Sequence, residues 1–237
     1  MEKQAIRESV WDELEAAGVN RFPYPPHGRI PNFAGADEAA DRLAATGEWQ
    51  AAETVKANPD APQLPVRRAA LRQGKTVYMA VPRLRDERCF LRLDPDEIDD
   101  VDHATTVGGS AEAGVPVTPD EVAPVDLVVA GSVAVDEDGS RIGKGEGYSD
   151  LEFAILYELG LVDRTTTVAT TVHEIQVRDR PLPSSSHDVR LDLVVTPERT
   201  VRPSGEASTL VGIRWDELDA DRIAEIPVLQ RLREAQE

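Results

Sequence analysis

The residues best suited to chemistry lie at 141–150, RIGKGEGYSD, where glycines 143, 145 and 147 alternate with Lys144 and Glu146 and the run closes on Tyr148 and Asp150. Glycines let the backbone curl so that its N–H groups converge on an anion, and a lysine among them adds a full positive charge. A helix starting at Tyr148 would contribute the partial positive charge of its N-terminus. The spacing matches neither the dinucleotide pattern G-x-G-x-x-G nor the four-residue gap of a P-loop. By pattern alone the stretch reads equally well as an anion cradle or as a flexible turn after the DEDG at 136–139.

A second cationic pair, Lys3 and Arg7, stands at i and i+4, which puts both on one face of a helix, where an ordinary solvated surface would explain them too. The remaining reactive types are sparse. Cys89 is the lone cysteine, so it can build neither a disulfide framework, nor a zinc cluster, nor a Cys-x-x-Cys redox pair. His27, His103, His173 and His187 fall at no spacing that suggests a triad or a metal cluster, and His173 and His187 read as structural hydrogen-bonding groups. What the chain offers is positioning and charge neutralisation.

Elements that could position these residues alternate along the chain. Ile6, Val10, Trp11, Leu14 and Ala17 recur at helical spacing before Gly18, predicting a helix over 3–17. A proline-rich, irregular segment follows at 21–33, then a helix ending near Gly47 and a short strand at 54–57. A helix over 65–73, with proline in its first turn and Gly74 behind it, feeds a strand at 76–81. CFLRLD at 89–94 reads as a strand. The apolar run 125–135 reads as one buried parallel strand, with the glycine loop expected at its carboxyl end and a helix over 148–159 beyond. Strands at 166–172 and 190–197 and a last helix at the C-terminus complete the pattern. It predicts an α/β fold, a Rossmann-like, doubly wound and mainly parallel sheet with helices on both faces, spanning 1–237 as one domain.

The net charge is −18, from 44 acidic against 26 basic residues, and only four of the latter are lysines. Acidity with scarce lysine and abundant small apolar residues suits a halophilic protein kept soluble in molar salt, where screening reaches only a few ångströms. The acidity then belongs to the whole surface and no nucleic-acid partner is expected. Charges in MEKQAIRESV stand where a secretion signal would need apolar residues, and the run 125–135 is too short to span a bilayer, so a cytoplasmic protein with no membrane partner is expected. Two of the four lysines, Lys75 and Lys144, adjoin glycine turns.

KQAIR at 3–7, GKTVYMAVPRLR at 74–85, RIGKGEGYSD at 141–150 and SHDVRLD at 186–192 occur in the order seen in the 5-formyltetrahydrofolate cyclo-ligase, or methenyltetrahydrofolate synthetase, family. The chain most resembles that family's paralogous branch named for a methenyltetrahydrofolate synthetase domain, through RFPYPPHGRIPNF, VDLVVAGSVAV and GKGEGYSDLEFA. The resemblance implies an ATP site shared between Lys3 and Arg7 on the N-terminal helix and the loop residues Arg141, Gly143, Lys144, Gly145, Gly147 and Tyr148. It further implies catalytic roles for Lys144 and Tyr148, Mg²⁺ ligation by Asp150 and Asp188, and contacts from Asp60, Arg83 and Tyr148 to a small-molecule substrate, a reduced folate or related heterocycle. In the family reaction the formyl oxygen of 5-formyltetrahydrofolate attacks the γ-phosphate of ATP. N10 then closes the ring to give 5,10-methenyltetrahydrofolate, ADP and phosphate.

Several positions depart from the family pattern. Glu146 replaces a common basic residue and Ser149 a second tyrosine, while Leu84 stands where tyrosine is frequent and Asp60 matches the pterin-binding glutamate only loosely. The tryptophan-proline element that usually precedes the loop has no counterpart in GGSAEAGVPVTPD. An alternative is therefore a divergent nucleotide-binding paralog without cyclo-ligase activity, serving in regulation or in cofactor salvage on a different heterocycle. Glu146, the acid in a loop shaped for anions, is expected to pair with an arginine such as Arg141 or to help hold Mg²⁺.

Overall fold

The computed structural model describes residues 2–185, 188–204 and 212–235. Helix α1 (Lys3–Ala16) buries Ile6, Val10, Trp11 and Leu14 and carries Lys3 and Arg7 one turn apart. The proline-rich segment after it is closed by the short antiparallel pair β1 (Asn20–Arg21) and β2 (Asn32–Phe33). Helix α2 (Ala36–Ala44) stops before Gly47, which the sequence had suggested as its end. Instead Gly47 opens α3 (Gly47–Ala51), because the Thr46 hydroxyl accepts the Trp49 N–H and caps a new helix. Then come β3 (Thr54–Ala57), α4 (Leu64–Arg72) and β4 (Thr76–Ala80), with Pro65 in the first turn of α4 and Gly74 at φ +76° behind it, as expected. The next elements are β5 (Phe90–Leu93), α5 (Val101–Ala104), α6 (Val107–Ala113), β6 (Val115–Val117) and β7 (Leu127–Val129).

The apolar run 125–135 is two strands rather than one. After β7 the chain leaves the main sheet, and β8 (Ala134–Asp136) pairs antiparallel with β9 (Arg141–Ile142) in a separate small sheet. Every residue from 127 to 136 is buried, so apolarity runs unbroken through the change of sheet and no period marks it. The glycine loop consequently leaves the second strand of a hairpin, not a central parallel strand. Helix α7 (Tyr148–Glu158) follows, then β10 (Thr167–Thr171), β11 (Val177–Arg178), β12 (Leu193–Val195), β13 (Thr200–Val201), α8 (Ala220–Glu225) and α9 (Pro227–Glu234). Strand β11 adds to β8 in parallel.

The main sheet runs β13-β12-β10-β7-β3-β4-β5-β6. Its interior, β12 to β4, is parallel, while β13, β5 and β6 are antiparallel additions. Both faces are covered, giving the Rossmann-like α/β fold expected. Alternation along the strands divides the core: Val55, Ala57, Leu127 and Val129 pack with Leu43, Val66 and Ala70 of α2 and α4. Tyr78, Ala80, Val128 and Val168 face the other way, toward Ile155 and Leu156 of α7 and Leu229 of α9. Lys56 lies between Val55 and Ala57, so the same alternation turns its side chain toward α7. No helix among the described residues is long and apolar enough to cross a membrane.

Candidate functional site

A cavity of about 690 Å³ opens beyond the carboxyl ends of β3, β4 and β7, a volume suited to a small-molecule ligand. Asn58 and Asp60 enter from β3, Arg83 from beyond β4 and Gly131 from beyond β7. The opposite wall is built by Lys3 and Arg7 of α1, the glycine loop and the first turns of α7. The proline-rich segment contributes Ile30 to the wall and does not seal the opening.

The glycine loop needs its glycines. Gly145 has φ +110°, and a Cβ there would lie 3.3 Å from the Arg7 guanidinium carbon; Gly147 has φ +71°. Arg7 reaches over from α1 and its Nε donates to the Gly143 carbonyl at 2.7 Å, so helix and loop are clamped together. Arg222 supports the far side, donating to the Glu146 carbonyl at 2.8 Å and lying 4.6 Å from the Tyr148 ring centre as a cation–π pair.

The charged residues around this loop come in pairs. Lys3 Nζ sits 2.6 Å from Asp188, and Arg141 Nη2 2.6 Å from Asp150. Arg141 is buried and its Nη1 also donates to the Gly131 carbonyl at 2.8 Å, which ties the loop to the end of β7. With Arg141 so engaged, Glu146 does not pair with it, as the sequence had suggested, but with Lys144 at 2.9 Å. Burial pulls the Lys144 pKa down, yet Glu146, Asp60 and Glu152 outweigh it and leave the ammonium raised. The Val189 N–H reaches Asp150 at 3.4 Å, bringing the segment of Asp188 against the start of α7.

Asp60 stands on the inner wall. Burial pushes its carboxyl up, Lys144 opposes that shift and Glu152 reinforces it. The turn bearing Asp60 is fixed by the buried Arg67, whose Nη1 donates to the carbonyls of Asn58 at 2.6 Å and Asp60 at 3.1 Å. Desolvation lowers the Arg67 pKa to about 10. Arg83 and Leu84 both have positive φ, 60° and 53°, an uncommon conformation for side-chain-bearing residues. The fully buried Leu84 anchors that turn in the core and holds Arg83 at the cavity. Leu84 is thus a packing residue, not a cavity contact.

Asp150 and Asp188, the two aspartates that the resemblance offers to a hard cation, both line the cavity, each paired with a cation of the protein. Among the described residues no group of three or more His, Cys, Asp or Glu side chains could hold a metal ion. Mg²⁺ is commonly held by one or two carboxylates with phosphate oxygens and water, so two aspartates beside an anion cradle fit its chemistry. No described histidine lines the cavity, and the His173 Nδ1 accepts the Ile175 N–H and caps a turn; His187 lies outside the described residues.

Sequence reasoning missed the ion pair between Lys56 and Glu152, both almost fully buried under the cavity. Its only signal was a lysine at an inward position of a strand. Of the two lysines singled out beside glycines, Lys75 is structural, donating to the Ala52 carbonyl at 2.6 Å and lying against Trp49.

A sequence profile described as the 5-formyltetrahydrofolate cyclo-ligase family matches residues 1–197. The chain is 42% identical over 236 residues to the methenyltetrahydrofolate synthase domain-containing protein of Mus musculus, and 38% identical over 235 residues to that of Homo sapiens. Each alignment covers 98% of this chain but only 63% and 61% of the relative, so the chain spans less than two thirds of these proteins' length. The solved structure of Aquifex aeolicus 5,10-methenyltetrahydrofolate synthetase superposes with a TM-score of 0.55 at 18% identity, covering 92% of this chain and 100% of that one, which supports the fold.

Proposed function

The chain belongs to the 5-formyltetrahydrofolate cyclo-ligase family, and from that premise we propose that it is an ATP- and Mg²⁺-dependent cyclo-ligase converting 5-formyltetrahydrofolate to 5,10-methenyltetrahydrofolate. The observation that carries the proposal is one cavity bounded on one side by α1, which brings Lys3 and is clamped to the glycine loop through Arg7, and on the other by a wall carrying Asp60 and Glu152. Lys3, Arg7 and Lys144 line the cavity and would take the phosphates, with the glycine loop's N–H groups as further donors. Lys144 and Tyr148 both line the cavity and would flank the phosphoryl group as it passes from ATP to the formyl oxygen, while Asp60 and Arg83 would hold the heterocycle. Asp150 and Asp188 would hold Mg²⁺, which neutralises phosphate charge when bound. The side chains position and neutralise; no protein nucleophile is required.

One observation favours the divergent reading. Glu146 neutralises the loop lysine from within the loop itself, which weakens the cradle relative to one lined by cations alone. Incubating the protein with 5-formyltetrahydrofolate and Mg-ATP in high salt decides between the two. The cyclo-ligase reading requires the methenyl chromophore to appear with ADP. Nucleotide binding without that product would establish the divergent paralog. Replacing Lys144 by alanine is expected to weaken nucleotide binding by about 1.5–3 kcal/mol, the scale of a charge-assisted hydrogen bond.

A further inference from the structure

The Lys56–Glu152 pair stands where packing alone would place apolar residues. Lys56 is 1% exposed and Glu152 5%; Lys56 stands on β3 opposite Val128 of β7, and Glu152 lies on α7 between the buried Leu151 and Phe153. A buried ion pair of this kind can usually be exchanged for well-packed apolar residues without loss of stability, so stability is a poor reason for keeping it. Position supplies a better one. Glu152 lines the cavity, while Lys56 approaches it from the strand beneath. Lys56 Nζ donates to Glu152 Oε2, and no described residue donates to Oε1. Glu152 is also close enough to Asp60 and Lys144 to act on the charge of both.

We infer that Glu152, oriented by Lys56, is a specificity-determining residue that accepts hydrogen bonds from the N–H edge of a bound heterocycle, with Asp60 as its neighbour on the same wall. A carboxylate is an acceptor only, so it selects a ring edge made of donors and rejects one that presents a carbonyl in their place. Asp60, more readily protonated than an exposed aspartate, can donate as well as accept and so can serve an adjacent ring carbonyl. The chemistry that satisfies both groups is a 2-amino-4-oxo pyrimidine ring, alone or fused. The inference rests on the proposed function for the cavity's role as a heterocycle site, but not for turnover.

The test compares binding of 2-amino-4-oxopteridine with that of 2,4-dioxopteridine, which carries a carbonyl in place of the amino group, and follows Mg-ATP binding in parallel. The intact protein is expected to prefer the amino ring by at least about tenfold, as befits a hydrogen bond to a charged group. Glu152→Gln should abolish that preference and leave Mg-ATP affinity within about threefold. Because that variant leaves Lys56 buried without its partner, the double variant Lys56→Met/Glu152→Leu, which replaces the pair by apolar side chains, is measured beside it. No preference in the intact protein, or a preference kept by either folded variant, overturns the inference. If the preference is found but 5-formyltetrahydrofolate gives no methenyl product, the inference stands and the cyclo-ligase reading fails. If product forms with an unchanged KM in both variants, the cyclo-ligase reading stands and the inference fails.

Discussion

Removing the Glu146 carboxylate should strengthen binding of metal-free ATP, by an amount that the geometry bounds. Lys144 and Glu146 are 2.9 Å apart with side chains 40% and 43% exposed, a pair of the surface type that contributes about 0.2–1 kcal/mol. A phosphate that takes Lys144 must displace this partner. It also meets the carboxylate at a distance of roughly 6 Å, where water leaves a repulsion of about 0.7 kcal/mol per unit charge before screening. Together these give about 1–2 kcal/mol, or roughly five- to thirtyfold in affinity at low salt, shrinking toward no effect in molar salt, which screens the exposed pair as well as the longer-range repulsion. Since Arg222 holds the loop through the Glu146 carbonyl, Glu146→Gln should keep the backbone in place. Calorimetry of the intact protein, Glu146→Gln and Glu146→Lys, with ATP in chelator and with Mg-ATP at low and high KCl, reads the effect. Glu146→Lys should bind metal-free ATP most tightly and show the weakest gain from Mg²⁺. Metal-free affinity that is unchanged or lower in Glu146→Gln at low salt would refute the reasoning.

Lys56→Met should destabilise the protein by about 3–5 kcal/mol, because it leaves Glu152 buried without its cation, and adding Glu152→Leu should restore most of that loss in a denaturant titration. Gly145→Ala should lower nucleotide affinity more than Gly147→Ala: it adds strain of about 1–3 kcal/mol at φ +110° and presses on Arg7 at 3.3 Å, whereas at Gly147 the nearest atom is 3.8 Å away. Burial pushes the Cys89 thiol up to about 12 from an ordinary 9.0, so its contribution to stability is complete below pH 9 and is lost as pH rises toward 12. Native protein should therefore resist thiol reagents near neutrality and show one reactive thiol after unfolding. With a net charge of −18, the melting temperature should rise as KCl goes from low to molar concentration, and a fall would count against the halophilic reading.

Local chemistry made much of the fold legible. Pro65 and Gly74 bracket α4 because one lacks an N–H that the first turn cannot use and the other accepts φ +76°. Alternation and helical spacing located the central strands and α7. The legible part ends where burial is continuous: from Leu127 to Asp136 both sides of the chain are covered, and nothing in side-chain type records that the chain changes sheets at Gly131. There a Cβ would lie 3.0 Å from Ile30 and 3.1 Å from Asp60, so the glycine is required by a close approach between segments distant in sequence. The same limit hid Glu152, which reads as one polar residue of a helix until β3 is placed beneath it with Lys56 facing it.

Pairing explains why acids and bases converge on one cavity without excluding a ligand. Lys3 with Asp188, Arg141 with Asp150 and Lys144 with Glu146 each hold, against a carboxylate of the protein's own, a cation that the proposed phosphate ligand would meet. The pairs differ in exposure, and that difference sets how readily each can be exchanged. Lys144 and Glu146 are near half-exposed, so water and salt can replace either partner at little cost, whereas Arg141 is buried and hydrogen-bonded to the Gly131 carbonyl as well. An incoming anion should therefore open the Lys144 pair first and leave the Arg141 pair closed as part of the scaffold. The division also predicts how variants behave. Substitutions at 144 and 146 should alter ligand affinity with little change in melting temperature, while Arg141→Ala should lower the melting temperature itself, because it strips Asp150 of its cation and frees the loop from β7. A melting temperature unchanged in Arg141→Ala, with nucleotide affinity lost, would move Arg141 from the scaffold into the group of residues that meet the anion directly.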